Sequence, residues 1–295
     1  MTAGTPFAVS GRWFKGNLHM HTTMSDGQRT PEDAVAWYRA HGYDFVSVTD
    51  HVKLTQTAHL STSDFLTIPG TEYHGEDPDV GPYHVVAWGM TELPPHSESM
   101  PLQQVIDAFR ERQAIVSIAH PYWCGQMSGD LLAVNGYMGI EIFNATCQLL
   151  NAKGFSNVHW DELLAAGRRV WGLAVDDTHW RPQRPDVGQG WVMVKAAALT
   201  QQAILQALEA GHFYASCGPT IEDLEIDGQR VWVRCSPCAQ INFISDRWHG
   251  QVVRAAPGQV LTEAEYQIEQ ETRYVRVECV DVEGRHAWSN PFMLI

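Results

Sequence analysis

Short apolar runs recur through the first two thirds of the chain and predict buried β-strands. They cover residues 18–21, 45–49, 114–119, 139–143, 170–175 and 191–194. These runs contain few of the alternating polar positions of a half-exposed strand, so each is predicted to be covered on both faces. Strands of this kind are typical of a parallel sheet.

Segments with helical periodicity separate these runs. The clearest one starts at Thr30, a good N-cap, with Pro31 at the first helical position and Gly42 just beyond its end. Further helices are predicted over residues 102–112, 159–166 and 200–210. The alternation of strands and helices predicts an α/β fold with a mostly parallel sheet, either open or closed into a barrel.

The pattern changes after residue 218, where helical periodicity gives way to short alternating runs. Strands are predicted over residues 224–226, 231–234, 240–244 and 274–280. Asp227–Gly228 predicts a tight hairpin turn, and residues 262–266 suggest one short helix. We therefore predict an α/β domain over residues 1–215 and a small all-β, sandwich-like domain over residues 216–295.

Charge and cysteine content narrow the class of protein. The 295 residues carry a formal charge of −14, which argues against binding to a nucleic-acid backbone. The first residues lack the features of a signal peptide, and no apolar stretch has the length of a membrane span. The six cysteines are scattered, and Cys235-Ser-Pro-Cys238 lacks a second pair, so we expect reduced thiols. A cytoplasmic protein with a small-molecule substrate is the expectation.

Candidate metal ligands occur at five places along the first 180 residues, each close behind an apolar run. Residues two apart in a strand face the same side, which lets His19 and His21 bind one ion together and places Asp177 beside His179. Imidazole and carboxylate ligands suit Zn²⁺, Fe²⁺ or Mn²⁺, and the absence of nearby thiolates argues against a closed structural zinc site. The full set comprises His19, His21, Asp26, His51, Glu72, His84, His120, Asp177 and His179.

The order of these residues resembles the motifs of the polymerase-and-histidinol-phosphatase (PHP) family of metal-dependent hydrolases. The matching motifs are His-x-His with a downstream acid, Thr49-Asp50-His51, a glutamate at position 72, His120-Pro121 and Asp177-x-His179. The resemblance spans nearly the whole first domain. It implies a distorted seven-stranded (βα)7 barrel that holds up to three metal ions at the C-terminal ends of its strands.

The resemblance also implies how the ligands are shared. A first ion would be bound by His19, His21, Glu72 and Asp177, a second by Asp26, His51 and His179, and a third by Glu72, His84 and His120. Glu72 is then a bridge between two ions. The implied chemistry uses two or three divalent ions (Zn, Mn or Fe) and a metal-bridging hydroxide as the nucleophile. We assign catalytic roles to Glu72, Asp26, His179 and His120.

A narrower resemblance extends beyond the metal motifs. Residues 190–196, 213–216 and 285–291 are similar to PHP proteins related to carbaryl hydrolase. This likeness covers both predicted domains. It leaves open which bond is hydrolysed.

Residues next to the metal motifs suggest two kinds of substrate. Lys53, Arg181 and Arg184 can clamp a phosphate group, whereas Tyr122, Trp123 and Trp180 can line an apolar pocket for an aromatic leaving group. The alternative for the three cations is that they are solvent-exposed charges on loops. The alternative for the three aromatic residues is that they pack within the protein.

Three hypotheses for the function follow. Phosphoester hydrolysis comes first, because it is the commonest activity in the resembled family. Carbamate, ester or amide hydrolysis comes second, supported by the narrower resemblance and the aromatic residues. The third is a non-enzymatic module with structural metals and a β domain that binds a partner.

Four further polar residues lie near the motifs. Asp50 can either bind a metal or orient His51, and Asp176 is expected to be structural. Glu141 and Asn144 follow a predicted buried strand. They either reach the site or satisfy the strand end.

Overall fold

The computed structural model describes residues 5–269 and 272–294. The strands are β1 (Arg12–Asn17), β2 (Phe45–Val48), β3 (Leu66–Asp77), β4 (Gly81–Trp88), β5 (Ile115–Ile118), β6 (Gly139–Asn144), β7 (Trp171–Val175), β8 (Trp191–Ala196), β9 (Phe213–Ser216), β10 (Ile221–Asp227), β11 (Arg230–Cys238), β12 (Gln240–Ser245), β13 (Gly250–Arg254), β14 (Leu261–Gln267), β15 (Tyr274–Val280), β16 (His286–Ser289) and β17 (Phe292–Met293). The helices are α1 (Pro31–Ala40), α2 (Leu102–Glu111), α3 (Pro121–Cys124), α4 (Ser128–Ala133), α5 (Ala145–Asn151), α6 (Asn157–Ala165) and α7 (Gln201–Glu209), with a 3₁₀ turn at Ala58–Leu60.

The predicted α/β sheet with parallel strands is confirmed. Strands β1, β2 and β3 are parallel neighbours, as are β5, β6 and β7, while β4 joins the two sets by antiparallel pairing. Beyond the end of β1, Met20 forms a parallel bridge to Thr178, and the Asp177 N–H donates to the His19 carbonyl at 2.9 Å. The C-terminal ends of β1 and β7 therefore lie side by side.

The position of β1 differs from the prediction. The strand is Arg12–Asn17, and residues 18–21 lie beyond its end. Their backbone groups instead contact two neighbouring elements, because the Thr49 N–H donates to Met20 O and the His21 N–H donates to Thr178 O. The His-x-His segment is thus held between the ends of β2 and β7.

The antiparallel pair β3–β4 is absent from the predicted strands. Thr67, Pro69 and Gly70 interrupt the apolar pattern of β3, which obscures it in the sequence. Its register with β4 places Glu72 opposite Val86. Glu72 therefore lies within a strand rather than after one.

The four predicted helices are confirmed, with ends shifted by one or two residues. In α1 the Thr30 hydroxyl accepts from the Asp33 N–H at 3.2 Å, and Gly42 adopts a φ of +76° just past the end. The short helices α3, α4 and α5 were not predicted. None of the helices in the described ranges combines the length and apolar character needed to cross a membrane.

The last part of the chain is all β, as predicted, but two details differ. Asp227 pairs with Arg230, so the hairpin loop is Gly228–Gln229 rather than Asp227–Gly228. Residues 262–266 belong to strand β14 and not to a helix, since they pair with β11. Strands β10, β11 and β14 form a separate three-stranded sheet that packs on β12 and β15 through an apolar core.

The two predicted domains share a sheet. Strand β9 pairs with β8 on one side and with β16 on the other, and β16 leads on to β15, β12 and β13. The predicted limit at residue 215 falls inside β9.

A buried ion pair joins α6 to β15. The Arg276 guanidinium is 1% exposed, and it donates to both carboxylate oxygens of Asp161, at 2.7 and 2.6 Å. Asp161→Ala is expected to lower the free energy of unfolding by about 3 kcal/mol, because it leaves a buried charge without its main partner. Denaturant unfolding measures the effect.

The control for this prediction is Glu263→Ala on β14, where an exposed carboxylate is removed. We expect it to change the free energy of unfolding by less than about 0.5 kcal/mol. The double variant Asp161→Ala/Arg276→Met is expected to be less destabilised than the sum of its single changes. Additive effects would contradict direct coupling of the two side chains.

Candidate metal centre

All nine predicted ligands converge at one end of the sheet. The segments after β1, β2, β5 and β7 supply most of them, and the β3–β4 pair supplies Glu72 and His84. Four non-glycine residues here have a positive φ, which is +51° at Val52, +26° at His120, +53° at Asp177 and +61° at Trp180. Non-glycine residues in this region cost about 1–3 kcal/mol each and cluster at functional sites.

A first group is made by His19, His21, Glu72 and Asp177, whose ligand atoms lie within 4.8 Å of one another. His19 Nε2 is 3.2 Å from His21 Nε2 and 3.3 Å from Glu72 Oε2. His21 Nε2 is 3.0 Å from Asp177 Oδ1. These four residues are fully or almost fully buried.

A second group is made by Asp26, His51 and His179 together with His21. Asp26 Oδ2 lies 3.2 Å from His179 Nε2, and Asp26 Oδ1 lies 3.8 Å from His51 Nε2. His21 Nδ1 is 3.7 Å from Asp26 Oδ1. The sharing of His21 between two groups was not predicted.

A third group is made by Glu72, His84 and His120. Glu72 Oε1 lies 2.7 Å from His84 Nδ1 and 3.2 Å from His120 Nε2. The other oxygen, Oε2, faces His19, His21 and His51 at 3.2–3.3 Å. Glu72 thus presents one oxygen to each side, which is the arrangement of a bridging ligand.

Two buried atoms support the fit of this cluster to a cation. Asp177 Oδ1 and His51 Nδ1 are buried and face other ligand atoms, since His21 Nε2 lies 3.0 Å from Asp177 Oδ1 and Glu72 Oε2 lies 3.2 Å from His51 Nδ1. Buried carboxylate and imidazole atoms in such close contact need a proton or a cation between them, and a bound cation meets that need. The oxygen and imidazole donors match the preferences of Zn²⁺, Mn²⁺ or Fe²⁺. The expected absence of nearby thiols is wrong, because the Cys147 sulfur lies within 4.8 Å of ligand atoms of His120 and Asp177.

The shifted pKa values of the cluster show that it attracts positive charge. Burial disfavours protonation of His21, but hydrogen bonds to Asp177 and Glu72 outweigh it and raise the pKa to about 9. Burial likewise opposes ionisation of Asp26, yet His179 and the neighbouring imidazoles lower its pKa to about 2. His51, by contrast, has a pKa lowered to about 4 by burial, so it is available as a neutral ligand.

Glu141 and Asn144 reach the cluster from the end of β6. Glu141 Oε1 accepts from His19 Nδ1 at 2.6 Å, and Oε2 accepts from the His120 N–H at 3.0 Å. The Asn144 amide donates to Glu141 Oε2 at 2.9 Å and to Asp177 Oδ2 at 3.1 Å. Both residues orient candidate ligands and satisfy the strand end at the same time.

Glu141→Gln is expected to lower metal affinity by about 10- to 100-fold. The carboxylate offers acceptors on both oxygens, whereas an amide has one acceptor and turns N–H groups toward one of its donor partners. Competition with a metallochromic chelator measures the affinity. Glu111→Gln, an exposed change at the end of α2, is the control and should leave affinity unchanged. Equal affinities in both variants would contradict a positioning role.

The two aspartates beside the motifs do not point to the cluster. Asp50 accepts hydrogen bonds from Thr22, Ser25 and Thr55, and so holds the segment that carries Asp26. It adjoins His51 in the sequence, but these hydrogen bonds go to other residues. Asp176 accepts from the Tyr38 hydroxyl at 2.6 Å and from the backbone N–H groups of residues 188–190, which confirms its structural role. Burial raises its pKa to about 6.

A cavity of about 210 Å³ opens onto the cluster. Three of the six predicted substrate residues line it: Arg181, Arg184 and Trp123. Arg181 Nη2 is also 3.7 Å from Asp26 Oδ2. Thr146, Cys147 and Leu150 of α5 line it too. Sequence reasoning missed them because α5 was not predicted, although Leu150 is an exposed apolar residue shortly after a strand end.

The other three predicted substrate residues do not line this cavity. The Lys53 ammonium donates to the Met24 carbonyl. Tyr122 is 43% exposed, with Lys153 over its ring. Trp180 is buried and donates from Nε1 to His21 O at 3.0 Å, so it packs under the ligands instead of facing the substrate side.

The matches found for this chain are to solved structures. No protein-family profile matches the sequence, and no curated protein matches it either. A two-domain protein from Bacteroides vulgatus ATCC 8482, containing a predicted PHP-like metal-dependent phosphoesterase, aligns with a TM-score of 0.52 at 14% identity. The alignment covers 96% of this chain and 95% of that one.

Two further solved structures align less well. A candidate metal-dependent phosphoesterase from Bifidobacterium adolescentis ATCC 15703 has a TM-score of 0.45 at 16% identity, over 57% of this chain and 89% of that one. An amidohydrolase from Chromobacterium violaceum has a TM-score of 0.46 at 14% identity, over 67% and 96%. The alignment with the Bacteroides vulgatus protein spans nearly all of both chains, and it shows that this chain has the fold of that PHP-like two-domain protein.

Proposed function

We propose that the chain is a metal-dependent hydrolase of the PHP family, and that it cleaves phosphoesters of small molecules. The observation that carries the proposal is the convergence of nine ligand side chains into three groups beside a cavity that also contains Arg181 and Arg184. Shared fold with a PHP-like protein supports the family.

The first, second and third groups are proposed to hold two or three divalent ions, of zinc, manganese or iron. When bound, such ions lower the pKa of water and neutralise charge that develops on the substrate. Glu72 keeps neighbouring ligands at a fixed spacing through its two oxygens. His120 and His179 both border the cavity, where the one that does not hold an ion can donate a proton to a leaving group.

The two arginines are proposed to bind the substrate phosphate. A guanidinium fork matches the geometry of phosphate oxygens and supplies charge that a neutral acyl substrate does not need. Trp123 and Leu150 form an apolar part of the same cavity. They favour a phosphoester whose alcohol part carries an apolar group. The cavity of about 210 Å³ suits a small substrate better than a polymer.

Carbamate, ester or amide hydrolysis is the second candidate. Trp123 and Leu150 favour it, because an apolar wall beside a metal cluster also accommodates an aromatic acyl substrate. The resemblance to carbaryl-hydrolase relatives drawn from the sequence points the same way, although no curated protein matches the chain. A third candidate, a binding module with structural metals, is favoured by the depth at which the first group is buried.

The architecture is proposed to follow the family. The order β1 to β7, with the ends of β1 and β7 side by side, supports a distorted (βα)7 barrel over residues 1–215. The separate apolar core between the three-stranded sheet and β12 and β15 supports a sandwich-like domain over residues 216–295.

Arg181→Ala and Arg184→Ala are each expected to raise KM for phosphoesters by about 10-fold or more, since each removes a charge-assisted contact to phosphate. Steady-state kinetics measure the change. Lys53→Ala is the matched control, because this cation lies near the metal motifs but outside the cavity. An equal effect of all three substitutions would contradict the phosphate clamp.

The experiment that tests the function is turnover by protein purified without chelator and supplemented with Mn²⁺ or Zn²⁺. Nitrophenyl phosphate, its bis-ester and nucleoside phosphates are compared with aryl carbamates, carboxylic esters and anilides. Chelator-sensitive phosphate release is the expected result. Turnover of acyl substrates alone would move the chain to the second candidate, and no turnover of any substrate by metal-loaded protein would favour the third.

A further inference from the structure

Three of the six cysteines meet in the apolar core of the C-terminal strands. Cys235 and Cys238 belong to β11 and Cys279 to β15, and each is at most 1% exposed. Their three sulfur atoms lie within 4.8 Å of one another, and the Cys235 and Cys238 sulfurs are 3.7 Å apart. This cluster lies in a different core from the candidate metal centre.

An irregularity in β11 brings the first two thiols together. Residues three apart in a regular strand point to opposite faces. Here Arg234 pairs with Glu263 and Cys238 with Leu261, so four steps along β11 match only two along β14. Such a bulge leaves residues unpaired and re-aims side chains. The bulge therefore directs the side chains of Cys235 and Cys238 into the same apolar core.

A third sulfur comes from another strand. Cys279 pairs with Ile241 of β12 and with Ala287 of β16 in the adjoining sheet. A disulfide needs only two thiols, at about 2.05 Å. Three sulfurs bound in a plane to one ion at about 2.3 Å, the length of a zinc–thiolate bond, lie about 4.0 Å apart. The 3.7 Å between the Cys235 and Cys238 sulfurs is close to that spacing.

We propose that Cys235, Cys238 and Cys279 form a three-coordinate site for one soft metal ion, of the Cu(I) class. Thiolates select soft ions, whereas structural zinc is almost always four-coordinate. In residues 5–269 and 272–294, no fourth His, Cys, Asp or Glu joins this group. Burial of all three side chains leaves little room for water as a fourth ligand.

Charge also bears on this site, because the thiolate and not the thiol binds metal. A bound cation offsets the cost of burying that charge among apolar side chains, and it ties β11 to β15.

The test uses the full-length protein, reduced with a phosphine under anaerobic conditions and preloaded with Zn²⁺ at the histidine-rich centre. Cu(I) is then supplied in competition with bicinchoninate, and the retained copper is counted. X-ray absorption at the copper edge identifies the neighbouring atoms. We expect one equivalent of copper with three sulfur atoms as its nearest neighbours.

Variants add a second readout. Cys279→Ala is expected to lose the copper equivalent, whereas Cys217→Ala, a change outside the cluster, should retain it. The absorption spectrum of the unmodified protein decides the question even if Cys279→Ala does not fold. No retained copper, copper bound only by nitrogen or oxygen, or equal occupancy in both variants would overturn the proposal. These outcomes are independent of any hydrolase activity.

Discussion

Glu72→Gln is expected to lower kcat/KM for metal-dependent hydrolysis by about a thousandfold or more, while the far-ultraviolet circular dichroism stays unchanged. Glu72 is 1% exposed, and its two oxygens face five imidazoles from both sides. Replacing the carboxylate by an amide removes one negative charge and one metal-binding oxygen at that position. The first and third groups then lose their shared ligand together. Steady-state kinetics and metal content are measured on the same preparation.

A matched control comes from the same strand. Glu76 also belongs to β3 but is exposed, so Glu76→Gln makes the same chemical change away from the cluster. We expect it to retain activity and metal within about twofold. Full activity in Glu72→Gln would remove this residue from the site and, with it, the proposed bridge between two groups.

Removal of metal is expected to lower Tm by about 10 °C or more, because each tightly bound ion stabilises the folded state by several kcal/mol. The physical reason lies in the first group, where Glu72 and Asp177 bring two carboxylates into a nearly dry environment. Differential scanning calorimetry before and after chelation measures the shift. Readdition of Zn²⁺ or Mn²⁺ should restore Tm. Unchanged Tm after complete removal would contradict binding at this buried cluster.

The pH dependence of this shift has a definite sign. In metal-free protein, carboxylates hold the pKa of His21 at about 9, above its ordinary value. Its contribution to stability is complete below about pH 6.5 and is lost as the pH rises through 9. Metal binding has the opposite dependence, since the ligands must be deprotonated. The gap in Tm between loaded and metal-free protein should therefore widen from pH 6 to pH 9.

The sequence was most informative where local chemistry sets the structure. Thr30, Pro31 and Gly42 define the ends of α1 through capping and backbone preference, and the structure places those ends within one or two residues. The parallel strands were visible because their apolar runs are continuous. The candidate metal ligands could be proposed from motif order, which reflects strand order along the sheet.

The features that could not be predicted from the sequence depend on pairing between distant parts of the chain. Met20 bridges to Thr178 far along the chain, so no local pattern reveals that residues 18–21 lie past the end of β1. Strand β14 has helix-forming glutamate and alanine at positions 263–265, yet pairing with β11 overrides their preference. The separation of Lys53, Tyr122 and Trp180 from the cavity is likewise set by tertiary packing.

The grouping of the cysteines illustrates the same limit. Cys235 and Cys238 formed an incomplete motif by sequence, and Cys279 is 41 residues beyond Cys238 in the numbering. Only a bulge in β11 and the packing of β15 bring the three sulfurs together. No spacing rule connects them.

Two or three divalent ions are expected to occupy the candidate metal centre formed by Glu72, Asp26 and their neighbouring ligands. Anomalous diffraction from crystals grown with Zn²⁺ or Mn²⁺ tests this expectation most directly. We expect peaks about 2.0–2.3 Å from the nearest ligand atoms, with one between Glu72 Oε2, His19 and His21, and others beside Asp26 and His84. Peaks that appear only on other residues, or none at the cluster in metal-loaded crystals, would contradict the account.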